Sequence, residues 1–236
     1  MNLSHNPGRL AGLLYVVASI FGFFGLMYVP AKLIVPGNAT ATASNIAASE
    51  TLFRAGIVAD LIGQALFIFV ALALYELLKG IHQRQAVIMV ILIVVAIPIA
   101  FLNELNALAA LVLVRGADFL APFDRLQRDA LAMLFLNLHG HGFDVAGIFW
   151  GLWLYPLGTL VYCSRFLPRF LGVWLIAACF AWVARSLSAL LLPQYEHLVS
   201  RVTTPLTLGE IAFMLWIAIL GARQQASAAQ PTKIQP

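Results

Sequence analysis

Charge is scarce in this sequence. Asp, Glu, Lys and Arg make up 10% of its 236 residues, against about 25% in soluble domains. A chain with so little charge cannot clothe a water-facing surface, which excludes an ordinary soluble fold. Cysteine is scarcer still. Cys163 and Cys179 form no Cys-x-x-Cys pair, and two such residues make no disulfide framework. Cofactor signatures are missing as well: no GxGxxG ahead of a helix, no P-loop, no HExxH and no GxSxG. That removes the common nucleotide-binding, zinc-protease and serine-hydrolase designs. Basic clusters interleaved with aromatics are absent too. The net charge of +4 and pI near 9.3 therefore point to no nucleic acid. In an apolar chain, loop Lys and Arg record insertion topology instead.

What the chain has is hydrocarbon. It is 62% hydrophobic, with a mean hydropathy of +0.92. Six apolar runs stand out, at residues 10–29, 53–78, 86–114, 130–163, 170–192 and 205–221. Each meets or approaches the roughly 20 residues a spanning helix needs. An open sheet would leave edge groups unsatisfied in lipid, so the spans are predicted to be helices. The expected fold is all-α, one polytopic bundle of six transmembrane helices over residues 1–221. The Gln- and Ala-rich residues 222–236 are expected to be a disordered tail. The first run is longer than a signal-peptide core, and Pro30-Ala31-Lys32 follows it, so it reads as a retained span. Residues 44–50 suggest a short interfacial helix begun by Ser44, and Pro98 predicts a kink in the third span.

Orientation follows from the basic residues. The loops at 79–85 and 164–169 are short and each carries two of them, Lys79 and Arg84, then Arg165 and Arg169. The opposite loops are longer and more dilute. Short basic loops favour the cytoplasmic side, which places both termini inside and the protein in a cell membrane, expected to be a bacterial inner membrane.

Polar groups inside the spans carry the functional reading, because they are costly there. Asp60 and Gln64 fall in the second span, and Asn103, Glu104 and Asn106 in the third. Asn137, His139, His141 and Asp144 fall in the fourth, Arg185 in the fifth and Glu210 near the start of the sixth. With both termini inside, all of them fall in the outer half of the bilayer. At about 100° per residue, Asn137, His141 and Asp144 share an arc of about 60°, and His139 points the opposite way. The expected binding set is therefore Asp60, Gln64, Asn103, Glu104, Asn106, Asn137, His141, Asp144, Arg185 and Glu210. Arg185, the one basic residue deep in a span, is expected to pair with Glu104 or Asp144. Gly140, Gly147, Gly151 and Gly158 form a small-residue stripe along which a neighbouring helix can approach closely. Two histidines at i, i+2 diverge on one helix, so neither a metal nor another cofactor is expected. Trp and Tyr at span ends read as interfacial anchors.

Four segments carry a resemblance. They are FRAGIVADLIG from Phe53, PIAFLNELN from Pro98, LHGHG from Leu138 and IFWGLWLYPLG from Ile148. The chain resembles, over residues 10 to about 193, a bacterial family of six-span membrane proteins known only as domain of unknown function 4386. The resemblance implies an integral membrane bundle and no activity, substrate or site.

Three functions compete. The first is binding, sensing or transport of a small polar or cationic solute, or a proton, in an acid-rich pocket. The second is an intramembrane hydrolase using His141, Asp144 and Glu104. The third is a non-catalytic scaffold whose polar groups only hold helices together. The reading leans away from an enzyme, because His5, His82 and His197 all fall in tails or loops. Besides the lipid bilayer and such a solute, no partner is indicated.

Overall fold

Six stretches are long and apolar enough to cross a bilayer: Pro7–Leu33, Glu50–Leu78, Gln83–Arg115, Arg125–Cys163, Arg169–Leu191 and Pro193–Ile219. In the computed structural model, which describes residues 7–222, all are helical, and no strand occurs among the described residues. The helices are α1 (Pro7–Phe23), α2 (Val29–Leu33), α3 (Ala39–Ala48), α4 (Glu50–Leu78), α5 (Gln83–Arg115), α6 (Arg125–Leu152), α7 (Leu154–Cys163), α8 (Arg169–Leu191) and α9 (Glu196–Ile219). The chain is thus an all-α six-span bundle. The tail beyond residue 222 lies outside the described residues.

Where proline suggests an end, the helix often runs on. Pro30 has no N–H to offer and its ring crowds the preceding turn. The first span answers with a π-helical turn at Phe24–Tyr28, closed by Val29 N–H on the Phe24 carbonyl, and continues as α2 to Leu33. It is therefore longer than residues 10–29. The fourth span breaks at Trp153, three residues before Pro156, and resumes as α7. Its true start is Arg125, where Asp124 and Gln127 form a reciprocal capping box. The last span differs most. Residues 193–204 are not a loop, because α9 begins at Glu196 and passes through Pro205. Thr203, Thr204 and Thr207 bond back to the carbonyls of Val199, Ser200 and Thr204, which hides their hydroxyls inside the helix. The short helix of this loop is α3, and its cap is Asn38, which accepts from Ala41 N at 2.9 Å, rather than Ser44. Gly116 ends α5 in the left-handed region, at φ 72°.

The spans close into a ring in the order α1, α4, α5, α6, α8, α9 and back to α1, with α7 packed on α5 and α8. Outward faces carry large apolar side chains such as Ile20, Phe69, Leu102 and Phe180, as a lipid-facing belt requires. Two apolar cores fill the interior. One, around Leu74, Ile93, Leu157, Leu171 and Phe213, plugs the half nearest the termini. The other, around Ile46, Ile57, Leu111 and Leu136, packs α2 to α6 at the opposite end. Neither α8 nor α9 contributes to the second core. Asp60, Gln64, Asn103 and Glu104, all buried, sit between the two cores.

Candidate functional site

The site starts from close helix approach. A Cβ on Gly25, in the π-turn, would stand 2.8 Å from the Gly56 carbonyl and 3.0 Å from Asp60 Cβ. Gly25 and Gly56 thus let the first span lie directly on α4 and bury Asp60. Asp60 sits about 15 Å along α4 from Glu50. Glu104 sits about 16 Å along α5 from Arg115. The antiparallel pair therefore brings the two carboxyl groups to one level.

Asp60 is 2% exposed and Glu104 3%. Glu104 Oε1 lies 2.9 Å from His139 Nε2 on α6. Asn103 donates to the His139 carbonyl at 2.8 Å and accepts from Asn106 at 3.1 Å. The Asn103 amide fills the space a side chain on Gly142 would need. His139 also stands edge-on to Phe143, with ring centroids 4.7 Å apart. Asp60 is different. Neither of its oxygens has a hydrogen-bond partner in the protein, although Glu104 and Gln64 are its polar neighbours. Asp60, Glu104 and His139 border a space of about 30 Å³, closed by the first span from Gly25 to Ile34. That is room for about one water molecule.

One turn further along α4 a larger cavity opens, about 150 Å³ in volume. Its lining includes Gln64, Phe67, Trp150, Trp153, Trp182 and Glu210. It occupies the ring's centre, where α1 makes at most marginal contact with α6 and α8. Tyr15 donates its hydroxyl to Glu210 Oε1. Trp182 Nε1 is buried and faces Glu210 without closing a bond of good geometry. Leu26 borders both spaces.

A third group lies on the open side, where α6 faces the parts of α8 and α9 farther from the chain termini. His141 Nδ1 is 3.3 Å from Asp144 Oδ2, with side chains 60% and 32% exposed. Arg185 and Glu196 are within electrostatic range of Asp144.

Several expectations change here. The roles of the two histidines are exchanged: His139 faces the interior, and His141 and Asn137 are exposed. The polar arc of α6 faces the open side, while its small and aromatic side chains pack inward and carry His139 with them. Arg185 pairs with neither Glu104 nor Asp144 within ion-pair distance. Glu104 is taken by His139, and the guanidinium lies over the Trp182 ring at 5.2 Å. Glu210 is not in the half that holds Asp60. It lies only about 14 Å from the Ile219 end of α9, because that helix starts earlier than its apolar run. Trp150, Trp153 and Trp182, in the middle of their spans, line an internal cavity. The ten expected residues therefore divide. Asp60, Asn103, Glu104 and Asn106 gather in the first group, Gln64 and Glu210 in the second, and His141, Asp144 and Arg185 in the third. Asn137 joins none of these contacts.

Tyr15 is the residue sequence reasoning missed, and His139, named there among the polar residues of the fourth span, was left out of the binding set. Tyr15 is a lone phenol deep in an apolar run, and Glu210 is its partner. Glu104 and His141 are too far apart in role to act together, since Glu104 is sealed against His139 while His141 is open. Among the described residues, no three His, Cys, Asp or Glu side chains have the geometry to hold a metal ion. A family model described as "Domain of unknown function (DUF4386)" matches residues 10–221, so the likeness includes the last span. No curated protein and no solved structure matches the chain.

Proposed function

Because the chain belongs to this DUF4386 family, whose description assigns no activity, we propose its function from the site: the bundle binds a proton at the Asp60–Glu104 pair and uses it to sense or move a small solute. The observation that carries this reading is Asp60, 2% exposed and with neither oxygen bonded to protein, beside a second buried carboxyl group. Two carboxylates in one low-dielectric site cannot both stay ionised without a compensating cation. His139 can compensate only one, and it is bonded to Glu104. Gln64 and Asn103 are neutral, and the first span offers the site only apolar groups and backbone. A shared proton needs no ligand sphere and fits a space of about 30 Å³.

A purely structural network would leave its members satisfied, as Asn103 is. Asp60 is not, which favours exchange over scaffolding. The hydrolase reading needs Glu104 beside His141 and Asp144, and they lie in separate groups.

Infrared spectroscopy of the purified protein at neutral pH tests the proposal. The carbonyl band of a protonated carboxyl group, shifted in heavy water, is expected in the wild type. It should weaken in Asp60→Asn and in Glu104→Gln. An unchanged band in both variants refutes a shared proton.

The sided access of the site rests on orientation, which the short basic loops predict. In a Cys163→Ser, Cys179→Ser background, Thr40→Cys and Pro122→Cys are exposed positions at the end opposite the termini. Both should react with an impermeant reagent on intact cells, and His82→Cys should not. Labelling at position 82 alone reverses the orientation and turns the third group toward the cytoplasm.

A further inference from the structure

We propose that the central cavity is a binding site for a small hydrophobic amine in its protonated form, with Glu210 as counter-ion and the tryptophans as its walls. The proposal stands on the cavity and not on the proton site one turn away. Phe67, Trp150, Trp153 and Trp182 give the 150 Å³ space four aromatic walls. A cavity of about that size holds a benzene-sized molecule. Aromatic walls alone would suit any apolar guest. Glu210 changes the choice, because it is the only side chain of the lining that can carry charge.

Its environment selects the sign. Tyr15 holds Oε1, and Glu210 belongs to the cavity lining. Gln64 stands on the opposite wall and is 9% exposed. Ser19 gives its hydroxyl to Met214 Sδ at 3.2 Å. No basic group shares the lining. Arg185 covers a face of Trp182 from outside it, with Asp144 in electrostatic range. A carboxylate set among ring faces is complementary to an ammonium group, which both attract electrostatically. An anion would meet Glu210, and a neutral guest offers this buried carboxyl group no compensating charge, whereas a protonated amine stabilises its ionised form. The hydrocarbon part of the amine replaces water against the indoles.

Three of the chain's five tryptophans line the cavity, so intrinsic fluorescence reads its occupancy. Full-length protein in detergent is titrated with benzylamine, protonated at neutral pH, and with benzyl alcohol, its neutral analogue, and affinities are checked by calorimetry. Benzylamine is expected to bind at least about tenfold more tightly than the alcohol. Glu210→Gln should erase that preference, while Glu76→Gln, at an exposed position on α4, should keep it. Equal binding of the two compounds to the wild type overturns the proposal, and so does the absence of benzylamine binding. Loss in Asp60→Asn with retention in Glu210→Gln also overturns it, by moving the amine to the carboxylate pair. The comparison of the two compounds needs no variant, so it holds even if Glu210→Gln does not fold. The infrared test concerns Asp60 and Glu104, so the two proposals fail separately.

Discussion

His139→Ala is expected to lower the melting temperature in detergent by on the order of ten degrees, and His141→Ala by about two degrees or less. The two residues are two positions apart, and hydropathy treats them alike. Their surroundings differ. Glu104 is 3% exposed, and its Oε1 lies 2.9 Å from its partner His139 Nε2. Removing one partner of such a buried pair strands the other, at about 3–5 kcal/mol. His141 and Asp144 are open, at 60% and 32% exposure, and an exposed pair contributes about 0–1 kcal/mol. Adding Glu104→Gln to His139→Ala should recover part of the loss, because the stranded group then carries no charge. Circular-dichroism melts of the four proteins decide the matter. A larger effect from His141→Ala would mean that α6 is turned the other way and that Glu104 has another partner.

The reason the sequence turned the wrong histidine toward the site is physical. In a soluble helix, the apolar face marks the core. In a membrane helix, the lipid face and the core are both apolar, so hydropathy does not report facing. Only small residues and polar pairs do. Asp60 and Gln64, one turn apart, gave the correct inward face of α4, because no other polar residue lies in the middle of that helix. On α6, four polar residues occupy different faces, and the clustered three point to the open side. Depth is legible where span ends are clear. Asp60 and Glu104 meet at one level because their helices begin and end near charged residues, Glu50 and Arg115. Glu210 was misplaced because Thr203, Thr204 and Thr207 make the start of α9 look like a loop while their hydroxyls are bonded within the helix. The tryptophans of the cavity were within reach of sequence reasoning. Phe67 is three residues from Gln64, and Trp182 three from Arg185, which places each on the face of a polar residue.

The glycines of the fourth span did report facing, and they lead to the second large effect. Gly147, Gly151 and Gly158 all press on α8, against Ser186, Val183 and Gly172 respectively, while Gly140 faces open space. A Cβ at Gly151 would stand 2.9 Å from Trp182 Cβ and 3.1 Å from the Val183 backbone nitrogen. Backbone cannot rotate out of the way, so α8 itself must retreat. Gly151→Leu is therefore expected to cost about 3 kcal/mol or more, at the upper end of overpacking, and on the order of ten degrees in melting temperature. A Cβ at Gly140 meets nothing within 4 Å, so Gly140→Leu should be neutral or slightly stabilising, since leucine is the better helix former. The retreat of α8 also moves Trp182 away from Trp150 and Trp153, and water then reaches their rings. Tryptophan emission should shift to the red in Gly151→Leu and stay unchanged in Gly140→Leu, and benzylamine binding should be lost in the first alone. If Gly151→Leu melts with the wild type and keeps its emission, α6 and α8 are not in contact at this level. The cavity between them would then lack the wall that Trp182 supplies.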